Sequence, residues 1–542
     1  MGQLLVVLFG ALLVTAIARK NDLLAPLLLV AVGLLVSLIP GLSEFTINPD
    51  LLLSVVLPPL LFTAALDSSL VGLKSSFRPI MQLGVVLVLV TAVSIGLLAD
   101  LFIQDLPLAA ALVLGAVVAP PDAVTAAAVG RRLHLPRRLM TIVTGESLIN
   151  DAVALTIYRV AMATALGAAT SASQSLLVFV EAVVIGVLVG LLLAWIVRVT
   201  WQRMSEHEMG GQVGTVMSLV LPFAAYLLAE ELHGSGVLAV VAAGLHIGHH
   251  SPKLGAFERL EVQTIWRSVN LLLESLVFAL IGLTLRTVID DARDEGRDLL
   301  QLLGAAGLLL VAVIVIRILW LFGTTYLPGV SRLLGPIGRE HRPPWRYVAV
   351  LSWTGMRGVV TLAAAGAVPL TLLDGSPFPA RESIQLTAFA IVVGTLLIQG
   401  LTLPWLIHRF GLDDPREAER DAQAEVEARR AAMAAALQRL DVLLAKEHFS
   451  SEAESEKVAR RLRSSIRLSG DAAIRQVGQS EAERQEGTQR RFTRLYRELI
   501  DAQRTALINQ RDTGRIDEEV LRLVLHELDL EEAALTRSWR NR

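Results

Sequence analysis

The sequence predicts an all-α polytopic membrane protein with about thirteen transmembrane helices and a charged helical C-terminal region. Hydrophobic residues make up 53% of the 542 residues. The mean hydropathy is +0.56, which is higher than a soluble domain normally has. Charge is concentrated at the other end of the chain, because residues 411–542 hold 26 of the 51 acidic and 24 of the 49 basic residues.

Apolar windows recur along the first 410 residues. A helix needs about 20 such residues to cross the hydrocarbon core of a bilayer. The first window lacks the basic start and the small-residue cleavage site of a signal peptide, so we interpret it as a retained span. The expected spans are 4–18, 23–42, 50–66, 81–104, 107–129, 138–164, 175–200, 212–230, 234–248, 268–289, 299–324, 346–372 and 384–408.

The short loops indicate an orientation, because lysine and arginine favour the cytoplasmic side. Seventeen of these residues lie in loops after odd-numbered spans, against four on the other side. This asymmetry predicts an outside N-terminus and an odd number of spans. We expect residues 1–410 to form the transmembrane domain. Residues 411–542 are expected to be cytoplasmic charged helices, either regulatory or dimer-supporting, or a solvated appendage without a regulatory role.

The composition also argues against several function classes. Without cysteine, the chain has no disulfide framework, no thiolate metal site and no cysteine nucleophile. A net charge of −2 argues against a nucleic-acid partner. No Ser/His pair and no metal-type His/Asp set occurs within the spans, which disfavours an intramembrane enzyme. We expect no cofactor.

The fifth span is expected to be broken in its middle. Pro120 and Pro121 remove two backbone donors and push the preceding residues away from helical angles. Asp122 then starts the second half-helix, where a carboxylate can cap free amide groups and meet the positive end of the helix dipole. Capping and direct contact with an ion are equally compatible with this position.

The twelfth span carries a second candidate break, where Gly355 and Gly358 flank Arg357 in an apolar segment. If the seventh span connects two six-span halves, the fifth span corresponds to the twelfth. Matching interruptions in two halves are typical of transporters built from inverted repeats, which place their sites at such breaks.

The sixth span contains the residues whose placement in a membrane costs the most free energy in the apolar region. A charge at the middle of a spanning helix costs roughly 2.5–3.5 kcal/mol on insertion scales, so it usually faces a polar cavity or a partner. Ser147 and Asp151 share one helix face, and their oxygens suit a hard monovalent cation. Asn150 can support the neighbourhood by hydrogen bonds. We therefore expect Asp151 to bind a cation or a proton.

Glu146 calls for a different explanation. It lies on the face that neighbours the Ser147 and Asp151 face, and pairing with a mid-membrane cation would reduce its cost of burial. The nearest unmatched opposite charge in the sequence is Arg357, which also lies in the middle of a span, while Arg317 lies in another apolar span. We expect a structural ion pair between Glu146 and Arg357.

At this point the chain resembles the monovalent cation:proton antiporter-1 family, which includes the bacterial sodium/proton exchangers. The resemblance covers about residues 1–410. It rests on several motifs in the same order, namely Leu57–Phe62, Pro120–Val124, Gly145–Asp151, Ser235–Val240 and Gly355–Gly358.

The resemblance implies thirteen helices, a homodimer through scaffold helices, and a six-helix mobile core in which the two broken helices cross. It implies electroneutral exchange of one proton for one sodium or related ion across a bacterial inner membrane. The aspartate that matches Asp151 binds the ion in this family and the serine that matches Ser147 assists. The equivalents of Glu146 and Arg357 form a structural pair.

Two departures from the family pattern leave the ion open. The family often has threonine where this chain has Pro121, and some relatives have glutamate where this chain has Thr63. The Thr63 hydroxyl can be an ion ligand or can bond its own backbone. Sodium, lithium and potassium therefore remain open as the transported ion. A channel without proton coupling is the alternative function.

Overall fold

The computed structural model divides into two compact units, Met1–Asp413 and Asp414–Arg542. It describes most residues of the first unit and two helices of the second. The described ranges are 2–21, 23–39, 52–122, 126–127, 129–130, 133, 135–167, 172–204, 210–251, 256–294, 299–327, 343–372, 375–412, 415–445 and 452–475, with single residues and short pieces between 499 and 524.

The regular secondary structure in the described part of the first unit is helical, apart from an isolated β-bridge between Thr371 and Pro377. Its helices in chain order are α1 (Gly2–Lys20), α2 (Ala25–Ser37), α3 (Leu52–Leu66), α4 (Leu70–Ser75), α5 (Phe77–Phe102), α6 (Leu108–Val118), α7 (Arg137–Ala165), α8 (Ala172–Met204), α9 (Gly210–Glu231), α10 (Gly236–His250), α11 (Ala256–Leu283), α12 (Leu285–Asp294), α13 (Leu299–Tyr326), α14 (Trp345–Trp353), α15 (Val359–Gly366) and α16 (Arg381–Phe410).

Helix occurs within every one of the thirteen expected spans. Seven helical segments in the described residues are long and apolar enough to cross a membrane by themselves. Others, such as α2 and α6, are shorter apolar helices. The all-helical polytopic fold is confirmed, while the count of thirteen spans stays a prediction.

Several helices direct apolar side chains outward, as expected of a protein solvated by lipid. Along α13, Leu300 is 81% exposed and Leu319 is 67% exposed. On α8, Leu177 and Leu188 are also exposed. Continuous apolar exposure of this kind would cause aggregation in water, so it indicates contact with the bilayer.

Glycines allow neighbouring helices to approach closely at several crossings. A Cβ added at Gly190 of α8 would lie 2.1 Å from the Ala239 carbonyl oxygen of α10. A Cβ at Gly115 of α6 would lie 2.1 Å from the Ala92 carbonyl oxygen of α5. Small residues at such interfaces are how membrane helices gain packing contacts without a hydrophobic driving force.

The second unit contains α17 (Pro415–Leu444) and α18 (Glu452–Arg475). The two helices contact each other, and Arg463 Nη2 donates a hydrogen bond to Asp441 Oδ1 at 2.7 Å. Within α17, Arg429 pairs with Glu425 one turn earlier. Such exposed pairs contribute about 0–1 kcal/mol each, so packing between the helices is the main link.

Candidate functional site

Both expected breaks are present. Helix α6 ends at Val118, and Pro121 and Asp122 have no helical backbone, while the next described residues, Ala126 and Ala127, are helical. Helix α14 ends at Trp353 and α15 begins at Val359, which leaves Gly355–Gly358 unwound. The expected cap of the second half-helix by Asp122 involves residues outside the described ones. Prolines in one span and glycines in the other therefore produce the interruptions that the sequence predicted.

The two breaks meet. The Asp122 backbone N–H donates to the Met356 carbonyl oxygen at 2.6 Å. The Asp122 carboxyl group lies directly against Gly358, where an added Cβ would come 2.5 Å from Asp122 Oδ2. Only glycine has room for this approach. The unwound segments thus satisfy part of each other's backbone and bring a carboxylate to their crossing point.

Helix α7 places Asn150 against this crossing. Asn150 is fully buried, and its Nδ2 donates to the Pro121 carbonyl oxygen at 2.7 Å. That carbonyl lies in the break, where it has lost its helical partner. The Asn150 Oδ1 atom is buried and has no hydrogen-bond partner in the described part of the chain. Asn150 therefore holds α7 to the broken helix and keeps a free oxygen beside Asp151.

Asp151 is the next residue of α7 and is 6% exposed. Its carboxylate is close enough to Asp122 for the two negative charges to interact. Ser147 is half-buried one turn earlier on the same helix. Two negative charges this close together in a low-dielectric environment repel each other, so this position favours binding of a cation or a proton.

Glu146 is paired, but with a different arginine from the expected one. Its Oε1 accepts from Arg317 Nη1 at 2.5 Å and its Oε2 accepts from Arg317 Nη2 at 2.9 Å. Both side chains are 3% exposed. Arg317 Nη2 also donates to the Leu351 carbonyl oxygen at 3.3 Å, and the side chain packs against Gly355. This bidentate pair ties α7 and α13 to the end of α14.

The expectation that Glu146 pairs with Arg357 is therefore wrong. The physical reason is that the Arg317 side chain of α13 contacts both Gly355 in the break and Glu146, and its fork-shaped guanidinium binds both carboxylate oxygens. Arg357 itself is 2% exposed, and its Nε and Nη1 have no hydrogen-bond partner in the described residues. It remains near the pair, because the charges of Arg317 and Glu146 both act on it. Its backbone N–H donates to Thr395 Oγ1 at 2.9 Å.

The Thr63 hydroxyl contacts its own helix and α11. Its Oγ1 lies 2.9 Å from the Leu60 carbonyl oxygen and 3.0 Å from Asn270 Oδ1, and it can donate to either. Asn270 in turn donates to Glu274 Oε1 at 2.5 Å. Of the two alternatives for the Thr63 hydroxyl, the geometry therefore fits a hydrogen bond to its own helix backbone. The sequence did not suggest the additional contact with α11.

The structure shows contacts of three polar residues in the apolar spans, Arg317, Asn270 and Glu274, that the sequence did not predict. Arg317 is an arginine in an apolar span, which is the same signal that singled out Arg357. Asn270 and Glu274 are polar residues four apart in the tenth span, and this spacing places them on one helix face. Nothing in the sequence indicated which of the buried groups would be neighbours.

The sodium/hydrogen exchanger transmembrane family model matches residues 5–409. An uncharacterized Na+/H+ exchanger of Mycobacterium tuberculosis is 31% identical, over 98% of this chain and 95% of the relative. The Na+/H+ antiporter ApNhaP of Aphanothece halophytica is 33% identical over 77% of this chain and 75% of its own length. The solved sodium proton antiporter MjNhaP1 of Methanocaldococcus jannaschii has a similar fold, with a TM-score of 0.56 and 22% identity, covering 76% of this chain and 98% of that one. The chain belongs to the sodium/hydrogen exchanger family.

Proposed function

We propose that this protein is a secondary antiporter that exchanges protons for a monovalent cation, with Na+ as the favoured cation. Asp151 binds the proton and the cation alternately. Family membership supports the reaction class, and the relative ApNhaP is a Na+/H+ antiporter by name. The assignment of Asp151 rests on the geometry of the site. Alternating access would carry the occupied site from one side of the membrane to the other.

The balance of buried charge carries the proposal. Three carboxylates meet at the crossing within the described residues, those of Glu146, Asp122 and Asp151, and two arginines accompany them. Arg317 neutralises Glu146 directly, and Arg357 supplies a second positive charge near that pair, so two positive charges stand against three negative ones. One negative charge remains, and a single proton or a single monovalent cation on Asp151 cancels it. This balance favours one-for-one, electroneutral exchange.

The surroundings of Asp151 suit a small hard cation. The Asn150 Oδ1 atom is buried without a partner, and the Ser147 hydroxyl lies on the adjacent turn. Carboxylate, amide and hydroxyl oxygens are the ligands that hard cations take in proteins. Asp122 contributes negative potential from the crossing, whether or not it touches the ion. Empty and charged, the site would be costly to move through the low-dielectric core, so only a neutralised site crosses.

The cellular setting follows from the sequence and the family. We infer a bacterial inner-membrane protein with its N-terminus outside and residues 411–542 in the cytoplasm, in line with the asymmetry of basic loops. A homodimer within the lipid bilayer is the expected assembly. We assign the C-terminal helices a regulatory role, since they form a unit of their own.

A flux measurement tests the reaction and selects the ion. Everted vesicles from a host without its own antiporters are acidified by respiration and monitored with a pH-sensitive dye. We expect addition of Na+ to collapse the pH gradient only when the protein is present, with Li+ and K+ tested in the same way. The collapse should persist when the membrane potential is clamped at zero. Cation uptake without any proton movement would contradict antiport and indicate a channel.

A further inference from the structure

The peptide unit between Met356 and Arg357 lies in the unwound segment that separates α14 from α15. Its carbonyl oxygen accepts from the Asp122 N–H at 2.6 Å, and its N–H donates to Thr395 Oγ1 at 2.9 Å. A peptide unit is planar, so two hydrogen bonds to its opposite ends determine the direction in which the whole unit points. One bond comes from the other broken segment and the second from α16.

The Thr395 hydroxyl is well suited to fix this peptide. A hydroxyl has one hydrogen to donate and two lone pairs that accept. Thr395 Oγ1 donates to the Val392 carbonyl oxygen of its own helix at 3.1 Å, which leaves its lone pairs for the Arg357 N–H. Thr395 is fully buried and Arg357 is 2% exposed, so solvent does not reach this hydrogen bond. The hydroxyl is therefore a fixed acceptor on a continuous helix.

The same peptide determines where Asp122 lies. The Met356 carbonyl holds the Asp122 backbone, and the Asp122 carboxyl group packs against Gly358. The negative charge of Asp122 acts on Asp151 from this position. A rotation of the peptide would turn the carbonyl away from the Asp122 N–H, and the contact between the two breaks would weaken.

We propose that Thr395 is a positioning residue of the ion site. Its hydroxyl fixes the direction of the Met356–Arg357 peptide and, through the Met356 carbonyl, holds Asp122 beside Asp151. This inference rests on the proposed antiport function, because it assigns Thr395 to the site that binds the cation. Thr395 acts through the backbone of the break and is not itself an ion ligand.

Loss of the hydroxyl has a definite consequence for the break. The Arg357 N–H would become a buried donor without an acceptor, which is unfavourable enough that the peptide should turn towards another acceptor. Asp122 would then lose its fixed position and contribute less negative potential at Asp151. Cation affinity should fall, while the carboxylate of Asp151 remains able to exchange a proton for a cation.

Thr387 is a matched control on the same helix. It lies about two turns before Thr395 and is also fully buried. Its Oγ1 has no hydrogen-bond partner within the described part of the chain. A valine at either position replaces a buried hydroxyl by a methyl group of nearly the same size, so the two variants differ in the hydrogen bond to the break.

The test is Thr395→Val in the vesicle assay, with Na+ concentration varied at fixed pH. We expect the Na+ concentration for half-maximal exchange to rise about three- to tenfold, as for loss of one buried hydrogen bond, while the maximal rate stays within about twofold. Thr395→Ser keeps the hydroxyl and should restore half-saturation to within about twofold of the wild-type value. Thr387→Val should leave half-saturation unchanged.

Three outcomes would overturn the inference. The first is a folded Thr395→Val protein with wild-type half-saturation, whatever its maximal rate. The second is an equal shift in Thr387→Val, and the third is a shift in Thr395→Ser as large as in Thr395→Val. If Thr395→Val does not fold, Thr395→Ala is compared with Thr387→Ala by the same criterion. The proposed antiport itself fails only if the wild-type protein gives no exchange in parallel vesicles, so the two failures are distinguishable.

Discussion

Asp151→Asn gives a folded, membrane-inserted protein whose cation-dependent proton flux falls to the level of vesicles that lack the protein. The amide has nearly the shape of the carboxylate, so the buried packing of α7 is kept. It can neither take up a proton at neutral pH nor carry the negative charge that a cation needs. Initial rates in everted vesicles, normalised to the amount of protein in the membrane, measure the effect.

Asp100→Asn is the control for this variant. Asp100 belongs to α5, close to the end of an apolar span, but its side chain is exposed. Its substitution should leave the rate unchanged. Normal sodium-dependent flux from Asp151→Asn would show that the exchanged ions bind elsewhere.

Arg317→Met should be the most destabilising single substitution at the crossing. It leaves the Glu146 carboxylate buried without its bidentate partner, and breaking one side of a buried ion pair typically costs about 3–5 kcal/mol. It also removes the contact with the Leu351 carbonyl oxygen. We expect a much lower thermal unfolding midpoint of the detergent-solubilised protein, measured by loss of the monodisperse size-exclusion peak.

The choice of partner is tested by comparing two arginines. Arg357→Met removes an equally buried guanidinium whose Nε and Nη1 have no hydrogen-bond partner in the described residues, so it should lower the midpoint less. The double variant Glu146→Gln with Arg317→Met should regain part of the stability, because no buried charge is orphaned. A larger loss from Arg357→Met than from Arg317→Met would instead support the pair expected from the sequence.

The broken helices were predictable because their causes are local. Adjacent prolines at 120 and 121 remove backbone donors wherever they occur in a helix. Glycines on both sides of Arg357 lower the cost of leaving the helical conformation. Each signal needs only a few neighbouring residues, and the structure confirms both breaks at the expected positions.

The partner of Glu146 was not predictable, because it depends on helix packing across a long stretch of chain. Glu146 and Arg317 are 171 residues apart. The sequence has two mid-span arginines, Arg317 and Arg357, and either could pair with Glu146. The Thr63 contact with Asn270 spans 207 residues in the same way. Periodicity places each residue on a helix face, but it does not determine which faces meet.

The central claim is that a proton and a cation compete for Asp151. Proton release on cation binding tests it most directly, using purified protein in weakly buffered detergent solution with a pH-sensitive dye. Binding of one ligand that excludes the other must release it. We predict that Na+ releases protons saturably from the wild-type protein and none from Asp151→Asn. Cation binding by the wild type without proton release, or equal release from Asp151→Asn, would contradict the claim.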